Sequence, residues 1–316
     1  MKMHPAVAAV RHAVRAAISD LPGESLVLAA CSGGPDSLAL AAALAAEAPR
    51  RGRRAGAVVV DHDLQEGAAE QARVAAKTCV ELGLTPVEIA TVSVDRQDPA
   101  GLEAAARAAR YDALERVATE HGAAAVGLGH TLDDQAETVL LGLARGSGAR
   151  SLSGMPTRRG RFLRPLLGLS RETTVAACEA LGLEPWYDPH NTSADFARVR
   201  VRTSAMPALI EALGPAVPAA LARSADLLRA DADALDLWAS SVTDPTDVGV
   251  LRDLPAAVRT RVLRRAAIEA GSPAGSLTAA HVASIDALVI DWHGQGAVSL
   301  PGGLEAHRAC DRLSFR

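Results

Sequence analysis

Short apolar runs alternate with longer helical patterns from Leu26 onward, and this alternation restricts the fold more than any other feature of the chain. Strands that alternate with helices in this way form a parallel sheet with crossover helices. The carboxyl ends of such strands share one edge, and ligands bind beyond that edge. The sequence therefore predicts an α/β fold with strands at Leu26 to Ala30, Ala57 to Val60, Val87 to Val92 and Ala123 to Leu128.

The pattern changes after about Met206-Pro207 to long helices rich in alanine and leucine. At 316 residues the chain is long enough for two domains. We predict a parallel-sheet domain over 1–208 and a smaller, mainly helical domain over 209–316. The last residues alternate around Gly302-Gly303 and predict a short hairpin. The helices of the second domain are predicted at Val217 to Trp238, Ala256 to Ala270 and His281 to Trp292.

The composition is that of a folded protein that is neither disordered nor uniformly basic, with 49% hydrophobic residues and a net charge of -4. No apolar run approaches the roughly 20 residues that span a bilayer. Met1 to Pro5 lacks the apolar core of a signal peptide, so we expect a cytoplasmic protein without membrane contact. The oligomeric state stays open, a homodimer included. The four cysteines form no Cys-x-x-Cys pair, which argues against a metal cluster or disulfide framework: Cys31, Cys79, Cys178 and Cys310.

A glycine loop, Cys31-Ser32-Gly33-Gly34-Pro35-Asp36-Ser37, joins the first strand to the next helix. Glycines let backbone N–H groups approach a phosphate, and the helix N-terminus adds positive potential. The loop lacks the Gly-Lys-Ser/Thr of a Walker A motif. A carboxylate beside a triphosphate needs a divalent cation between them, so Asp36 is a predicted Mg²⁺ ligand. Alternatively, Asp36 and Ser37 only cap the helix.

Polar residues also follow the second and fourth strands, at the same predicted edge. The second strand ends in Asp61-His62-Asp63, and an acid at this place commonly binds ribose hydroxyls. The fourth leads into Gly129-His130-Thr131-Leu132-Asp133-Asp134-Gln135-Ala136-Glu137-Thr138, where His130 and Asp134 lie one helical turn apart. A solvated strand end and a partner for the helix dipole are the alternative explanations for Asp61 and Asp133.

Two further segments are rich in arginine. Between Gly101 and Tyr111, the spacing puts Arg107, Arg110 and Tyr111 on one face of a helix and lets Glu103 pair with Arg107. An ordinary solvated face would show the same spacing. From Arg145 to Arg202, ten arginines stand against five acids in a chain that is acidic overall. Such local charge suits contact with a nucleic-acid backbone, although an exposed loop can also be basic without a ligand.

Together these motifs resemble one family. Ser-Gly-Gly-Pro-Asp-Ser after a first strand is similar to the pyrophosphate loop of the N-type ATP pyrophosphatases, and the other motifs resemble the tRNA(Ile)-lysidine synthetases within that superfamily. The resemblance runs from about Val27 to Leu209 and is weaker beyond. It implies a nucleotide-binding domain of the adenine nucleotide alpha hydrolase-like type, a catalytic PP-loop domain over 1–208, and a tRNA-binding or substrate domain over 209–316.

The activity implied by the resemblance is the ligation of free L-lysine to C2 of the wobble cytidine in the CAU anticodon of tRNA(Ile). ATP and Mg²⁺ are used, an adenylated cytidine is the intermediate, and the lysidine product reads AUA instead of AUG.

The resemblance also assigns roles. Catalysis falls to Asp36, Arg107 and Asp134, and Asp36 and Asp134 share Mg²⁺ or the lysine ammonium, with Glu137 supporting them. The nucleotide pocket comprises Ser32, Gly33, Gly34, Pro35, Asp36, Ser37, Asp61, His62 and His130. The predicted tRNA contacts are Arg158, Arg159, Arg161, Arg164, Arg198, Arg200 and Arg202. Trp186-Tyr187-Asp188-Pro189-His190-Asn191 resembles a further element of the family, with His190 departing from its pattern.

Two rival functions remain. A tRNA thiolase of the same superfamily would use the same adenylation with a sulfur donor, and it predicts clustered cysteines near the site. A nucleotide-binding sensor without turnover would not need Asp36, Asp134 and Arg107 together.

Overall fold

The computed structural model describes residues 3–61, 67–94, 101–146, 148–187 and 196–316, apart from the side chain of Glu103. It divides into two compact units, the first reaching Asp226 and the second comprising Leu227–Arg316. This division falls inside one long helix, later in the chain than the predicted boundary at 208.

The first unit is an α/β unit built on six strands. Its strands are β1 (Leu26–Ala30), β2 (Arg54–Asp61), β3 (Val87–Thr91), β4 (Ala123–Gly127), β5 (Arg158–Arg159) and β6 (Phe162–Leu163). Its helices are α1 (Pro5–Ala17), α2 (Pro35–Glu47), α3 (Ala68–Glu81), α4 (Leu102–Glu120), α5 (Leu132–Ala144), α6 (Ala149–Leu152), α7 (Arg171–Ala180), α8 (Ala197–Arg200) and α9 (Met206–Leu213). A π-helical turn, Val201–Ala205, joins α8 to α9.

The sheet has the strand order β3-β2-β1-β4-β6-β5, and only the short β5 runs antiparallel to its neighbour. The chain moves outward from β1 to β3 on one side and then returns to the other side of β1 with β4. The carboxyl ends of β1 and β4 therefore flank the point where the winding reverses, which is the ligand crevice of open α/β sheets.

Both faces of the sheet are covered, which explains why its strands are almost uninterrupted apolar runs. One face contributes Val27 and Ala29 to a core shared with α1, α2, α3 and α7. The other face contributes Leu26 and Leu28 to a core with α4. The sheet is thus held as a rigid layer whose strand ends can fix functional side chains.

A buried carboxylate fastens α1 to α2. Glu47, at the end of α2, is 1% exposed and accepts hydrogen bonds from Arg11 Nε at 2.6 Å and Arg15 Nε at 2.7 Å. The hydrogen bond from Arg15, with that from Arg11, lowers the pKa of Glu47 from its usual 4.5 to about 2. The carboxylate therefore stays ionised across the physiological pH range.

The second unit has its own core, built from helices and a small antiparallel sheet. Its elements are α10 (Val217–Ser240), which begins in the first unit, α11 (Val248–Asp253), α12 (Ala256–Glu269), α13 (Ala279–Ile290), β7 (Val298–Leu300), β8 (Leu304–Ala309) and β9 (Arg312–Phe315). The predicted short hairpin is a three-stranded sheet, because a second reversal at Cys310-Asp311 adds β9. The fold class, a parallel-sheet domain followed by a mainly helical one, is confirmed.

No single helix within the described ranges is both long and apolar enough to cross a membrane. One helix pair satisfies the criteria of length and composition only when its two members are taken together, and it is bent by 98°.

Candidate active site

The phosphate loop lies between β1 and α2, and Ser37 closes it from within. The Ser37 hydroxyl donates to Gly34 O at 2.9 Å and accepts from the Ser32 amide at 3.1 Å. Gly33 has a φ of +83°, a left-handed conformation that a side chain would strain, and its carbonyl accepts from Trp186 N at 2.9 Å. No side chain of the described residues caps the first turn of α2. Its N–H groups are thus available to an anion, as the glycine loop predicts.

Three carboxylates converge beside this loop. Asp36 lies in the first turn of α2, and Asp134 and Glu137 lie on α5, which follows β4. We call Asp36, Asp134 and Glu137 the acidic trio. Arg171 contacts all three: its Nε lies 3.5 Å from Asp36 Oδ2, its Nη2 3.0 Å from Asp134 Oδ1 and its Nη1 3.7 Å from Glu137 Oε1.

Asp134 serves two purposes with its two oxygens. Its Oδ2 accepts from the Thr131 amide at 2.9 Å, which caps α5, whereas its Oδ1 faces Arg171 and Arg202. Burial raises the pKa of Asp134, but Arg171, the Thr131 amide and Arg202 outweigh burial and lower the pKa below its usual value. For Asp36, burial prevails over the hydrogen bond from Thr174 and the charge of Arg171, and the pKa is raised. Asp36 is therefore the less stable of these two anions in the ligand-free protein.

Glu137 is 2% exposed and is surrounded by guanidinium groups. Arg202 Nε donates to it at 2.7 Å and Arg202 Nη2 at 3.0 Å, while Arg198 Nε lies 3.7 Å away. The sequence analysis assigned Arg198 and Arg202 to tRNA. In the structure both side chains point to α5, because a buried carboxylate needs a charged partner. Only Arg200 of the three is exposed.

His130, which precedes α5, lies near three arginines as well as Asp134. Burial, together with Arg164, Arg110 and Arg107, lowers the pKa of His130 to about 3, although Asp134 opposes the shift. His130 is therefore a neutral imidazole at physiological pH. Arg107, predicted to be catalytic, is exposed on α4, and its Nη2 lies 3.3 Å from the Tyr111 hydroxyl. The predicted ion pair of Arg107 with Glu103 depends on a side chain outside the described part of the chain.

The arginines of the β5–β6 hairpin divide into two groups. Arg158 and Arg159 are exposed, and Arg161 pairs with Glu115 at 3.0 Å. Arg164, which was predicted to contact tRNA with them, points inward in the structure. It is 4% exposed, and its guanidinium donates to Pro156 O at 3.0 Å and to the Tyr111 hydroxyl at 3.2 Å. The Arg164 guanidinium therefore lies beside Tyr111 and not on the hairpin surface.

The remaining predicted residues lie at strand ends or outside the described ranges. Asp61 ends β2 and is 7% exposed, at the same edge as the phosphate loop. His62 and the segment from Asp188 to Asn191 fall outside the described residues.

Sequence reasoning missed Arg171 and Thr174, both in the first turns of α7. The Thr174 hydroxyl donates to Asp36 Oδ1, and Asp133 Oδ2 accepts from the Arg171 amide at 2.7 Å. Ser170 caps this helix, so Ser170 followed by Glu172 could have located the start of α7. No spacing in the sequence shows that this start points at Asp36.

The cysteines are closer together than their sequence positions indicate. Cys31 and Cys79 are both buried, and a hydrogen bond between their thiols lowers the pKa of Cys31 and raises that of Cys79. Cys31 and Cys178 also contact the loop and helix that carry Asp36, since Cys178 Sγ lies 3.3 Å from Pro35 O. The spacing of the cysteines in the sequence does not show this proximity. Among the described residues, however, no group of three or more His, Cys, Asp and Glu side chains is arranged to hold a metal ion.

Comparison with known proteins agrees with this geometry. The PP-loop domain family matches residues 7–209, and the TilS substrate binding domain family matches residues 247–314. The tRNA(Ile)-lysidine synthase of Thermobifida fusca is 58% identical over 96% of this chain and 95% of its own length. That of Salinispora tropica is 54% identical over 98% of this chain and 96% of its own, and that of Streptomyces coelicolor is 51% identical over 100% of this chain and 99% of its own.

A solved structure supports the fold. The U34-tRNA thiolase NcsA from Methanococcus maripaludis, described with its [4Fe-4S] cluster, aligns with a TM-score of 0.59 and 20% identity, over 71% of this chain and 80% of the thiolase chain. At that identity the likeness concerns the fold alone. The resemblance found in the motifs is confirmed by near full-length relatives, and the chain belongs to the tRNA(Ile)-lysidine synthase family.

Proposed function

We propose that this chain ligates L-lysine to C2 of the wobble cytidine in the CAU anticodon of tRNA(Ile), with ATP as the second substrate. The observation that carries the proposal is the meeting of the phosphate loop with the acidic trio at the β1–β4 crevice. The phosphate loop suits a triphosphate, and the acidic trio suits cationic groups. Family membership supports the same reaction.

The reaction has two displacements. In the first, the C2 oxygen of cytidine attacks the α-phosphate of ATP, and the bond to pyrophosphate breaks. In the second, the side-chain nitrogen of lysine attacks C2, the bond from C2 to the adenylate oxygen breaks and AMP leaves. The net reaction consumes ATP and lysine and releases AMP, pyrophosphate and a proton from the lysine ammonium.

The residues of the site orient the reactants more than they react. The backbone of residues 32–37 holds the phosphates, and Arg107 stabilises negative charge that develops during adenylation. The target base must leave its stack to reach this crevice, as in other enzymes that act on a base.

Mg²⁺ fits the carboxylates of this site. Asp36 and Asp134 contact the same guanidinium, so their oxygens face one small region. Mg²⁺ usually takes one or two protein carboxylates and completes its shell with water and substrate phosphates. Asp36 and Asp134 would hold it, and it would neutralise charge on the phosphates.

The test is pyrophosphate release by the purified chain with ATP, lysine and a tRNA(Ile) transcript carrying CAU. We expect release that depends on the transcript and incorporation of labelled lysine at the wobble position. A transcript with UAU at the anticodon is the control and should not be modified. The reaction is also run with a sulfur donor. Pyrophosphate release that yields a thiolated nucleoside and no lysine incorporation would support the thiolase instead.

A further inference from the structure

Three arginines gather around one tyrosine beside His130. Arg107 Nη2 and Arg164 Nη2 lie 3.3 Å and 3.2 Å from the Tyr111 hydroxyl. The guanidinium carbons of Arg107 and Arg110 lie 5.0 Å and 5.9 Å from the centre of the Tyr111 ring. We call Arg107, Arg110, Arg164 and Tyr111 the tyrosine–arginine cluster. Its cation–π contacts are favourable but do not cancel the positive charge.

The cluster differs from the other arginines near the site in its charge balance. Arg171, Arg198 and Arg202 all form ion pairs with the acidic trio. Within the described ranges, no carboxylate forms an ion pair with any of the three arginines of the cluster.

Burial makes this imbalance costly. Arg164 is 4% exposed, and its Nε is buried without a hydrogen-bond partner among the described residues, as is Nδ1 of His130. Burial, with the charges of Arg107 and Arg198, lowers the pKa of Arg110. Grouping like charges in a half-buried place costs free energy unless an anion joins them. The cluster is thus organised to receive an anionic group.

Its position indicates where that group comes from. Phe162 of β6 packs edge-on against Tyr111 with ring centres 5.0 Å apart, and Arg164 follows β6 directly. Arg158 and Arg159 pair with β6 across the hairpin and are exposed. Exposed arginines therefore lie on the same hairpin as Arg164. The predicted phosphate cradle for ATP is a separate feature, at the start of α2.

We propose that Arg110 and Arg164, with the Tyr111 hydroxyl, bind a backbone phosphate of the RNA next to the nucleotide that enters the crevice, while Arg107 beside them serves adenylation. Guanidinium groups match phosphate oxygens in geometry and charge. A bound phosphate would fix the position of the RNA strand that carries the extruded base. The inference rests on the proposed function. It adds Arg110 and Tyr111 to the groups that bind RNA and gives Arg164 a specific phosphate. Pyrophosphate has the same chemistry, so the experiment must separate the two sources.

The variant of choice is Arg110→Gln, because Arg110 makes no hydrogen bond to a described residue that the fold would lose. We expect the Kd for the tRNA transcript to rise about tenfold, since a charge-assisted contact is lost. The slope of log Kd against log salt should fall by roughly 0.7 to 0.9. The Kd for inorganic pyrophosphate and for ATP should stay unchanged. Arg116→Gln, an exposed arginine on the same helix that pairs with Glu120 at 3.1 Å, is the matched control.

Two outcomes would overturn the assignment. One is an unchanged tRNA affinity and salt slope in folded Arg110→Gln. The other is weaker binding of pyrophosphate with unchanged tRNA binding, which would assign the cluster to the leaving group. All of these titrations are made without turnover. If the wild-type chain binds tRNA but incorporates no lysine, the proposed function fails, and the binding data still decide the phosphate site.

Discussion

The surroundings of Asp36 have opposite effects on its pKa, so its ionisation is sensitive to what binds beside it. Burial raises its pKa, while Thr174 and Arg171 favour the ionised form. Adding the negative charge of a triphosphate would raise the pKa further unless a cation comes with it. On the proposed function, the carboxylate would therefore link the phosphate loop to cation binding.

We predict that Asp36→Ala abolishes adenylation, because the loop keeps its backbone donors but loses the carboxylate that holds the cation. Lysine incorporation should fall at least a hundredfold, while circular dichroism stays like that of the wild type. Asp20→Ala, a change at an exposed acid of the same unit, should leave incorporation intact. Incorporation at the wild-type rate in Asp36→Ala would contradict the assignment.

The cysteines permit a second test at this scale. Replacing Cys31, Cys79, Cys178 and Cys310 together by alanine should leave lysine incorporation measurable, because lysine is the nucleophile. Stability should fall by about 1 kcal/mol for each of the three buried positions. Complete loss of turnover in a variant shown to be folded would favour a sulfur-transfer reaction.

The sequence could identify residues whose position follows from a strand end. Asp36 and Asp134 follow β1 and β4, and a parallel sheet brings those ends together. Arg164 shows the limit of this reasoning. Arg158 and Arg159 of the same hairpin are exposed, and only the packing of β6 on α4 shows that the Arg164 side chain turns inward.

Among the elements, Gly129, just after β4, packs closely against the start of α2. A Cβ at Gly129 would lie 3.0 Å from Asp36 C and from Ser37 N, which are backbone atoms. Something in the phosphate loop would have to move to make room.

We therefore predict that Gly129→Ala raises the Kd for ATP at least tenfold while the helical content stays unchanged. The matched control is Gly168→Ala, since nothing lies within 4 Å of a Cβ at that position. Equilibrium binding of ATP measures both. Equal affinity in the two variants would mean that the loop does not depend on this contact.

The attachment of α1 to α2 should depend on pH. The folded-state pKa of Glu47 is about 2 and its usual value is 4.5. A carboxylate whose pKa is lower in the folded state stabilises the fold at pH values above its unfolded-state pKa. That stabilisation is lost as the pH falls through the folded-state pKa. Glu47→Gln should be less stable than the wild type by about 2 to 3 kcal/mol at pH 7.

Urea unfolding of both proteins between pH 7 and pH 3 measures this difference, which should narrow below about pH 4.5. Glu24→Gln, a change at an exposed acid, should show no such trend. A difference for Glu47→Gln that stays constant down to pH 3 would show that packing, and not charge, joins the two helices.

Element boundaries in the first unit followed closely from the apolar runs: β1 was predicted to the residue, whereas β2 begins earlier, at Arg54. The apolar pattern misses Arg54 because only the pairing with β1 makes it part of a strand. The third strand of the C-terminal sheet was missed for a similar reason. Its turn contains Cys310, a non-glycine residue with a φ of +53°, instead of a Gly-rich signal.

At the scale of the whole molecule, an acidic chain must bind a polyanion, so its positive charge has to be concentrated. We predict that replacing Arg158 and Arg159 together by alanine weakens tRNA binding and flattens its salt dependence, by roughly 0.7 to 0.9 in log–log slope for each contact. ATP affinity should hardly change, because the phosphate loop lies elsewhere. Titrations of tRNA at several salt concentrations measure the slope.

Arg51 and Arg54 offer the matched pair, since both are exposed and lie away from the hairpin. Their replacement by alanine removes the same net charge. If both double variants lower the slope equally, the effect belongs to the overall charge of the protein and not to a hairpin contact.

Arg171 gives the crevice one more property. The Arg171 guanidinium already forms ion pairs with the acidic trio. A cation that binds these carboxylates would therefore compete with Arg171 for them. On the proposed function, cation binding would be an exchange of partners, unfavourable for a lone ion and favourable when a nucleotide arrives with it. The displaced guanidinium could then pair with phosphate oxygens of that nucleotide. An arginine at the start of α7 would thus make metal and nucleotide depend on each other, even though neither α7 nor Arg171 belongs to the phosphate loop.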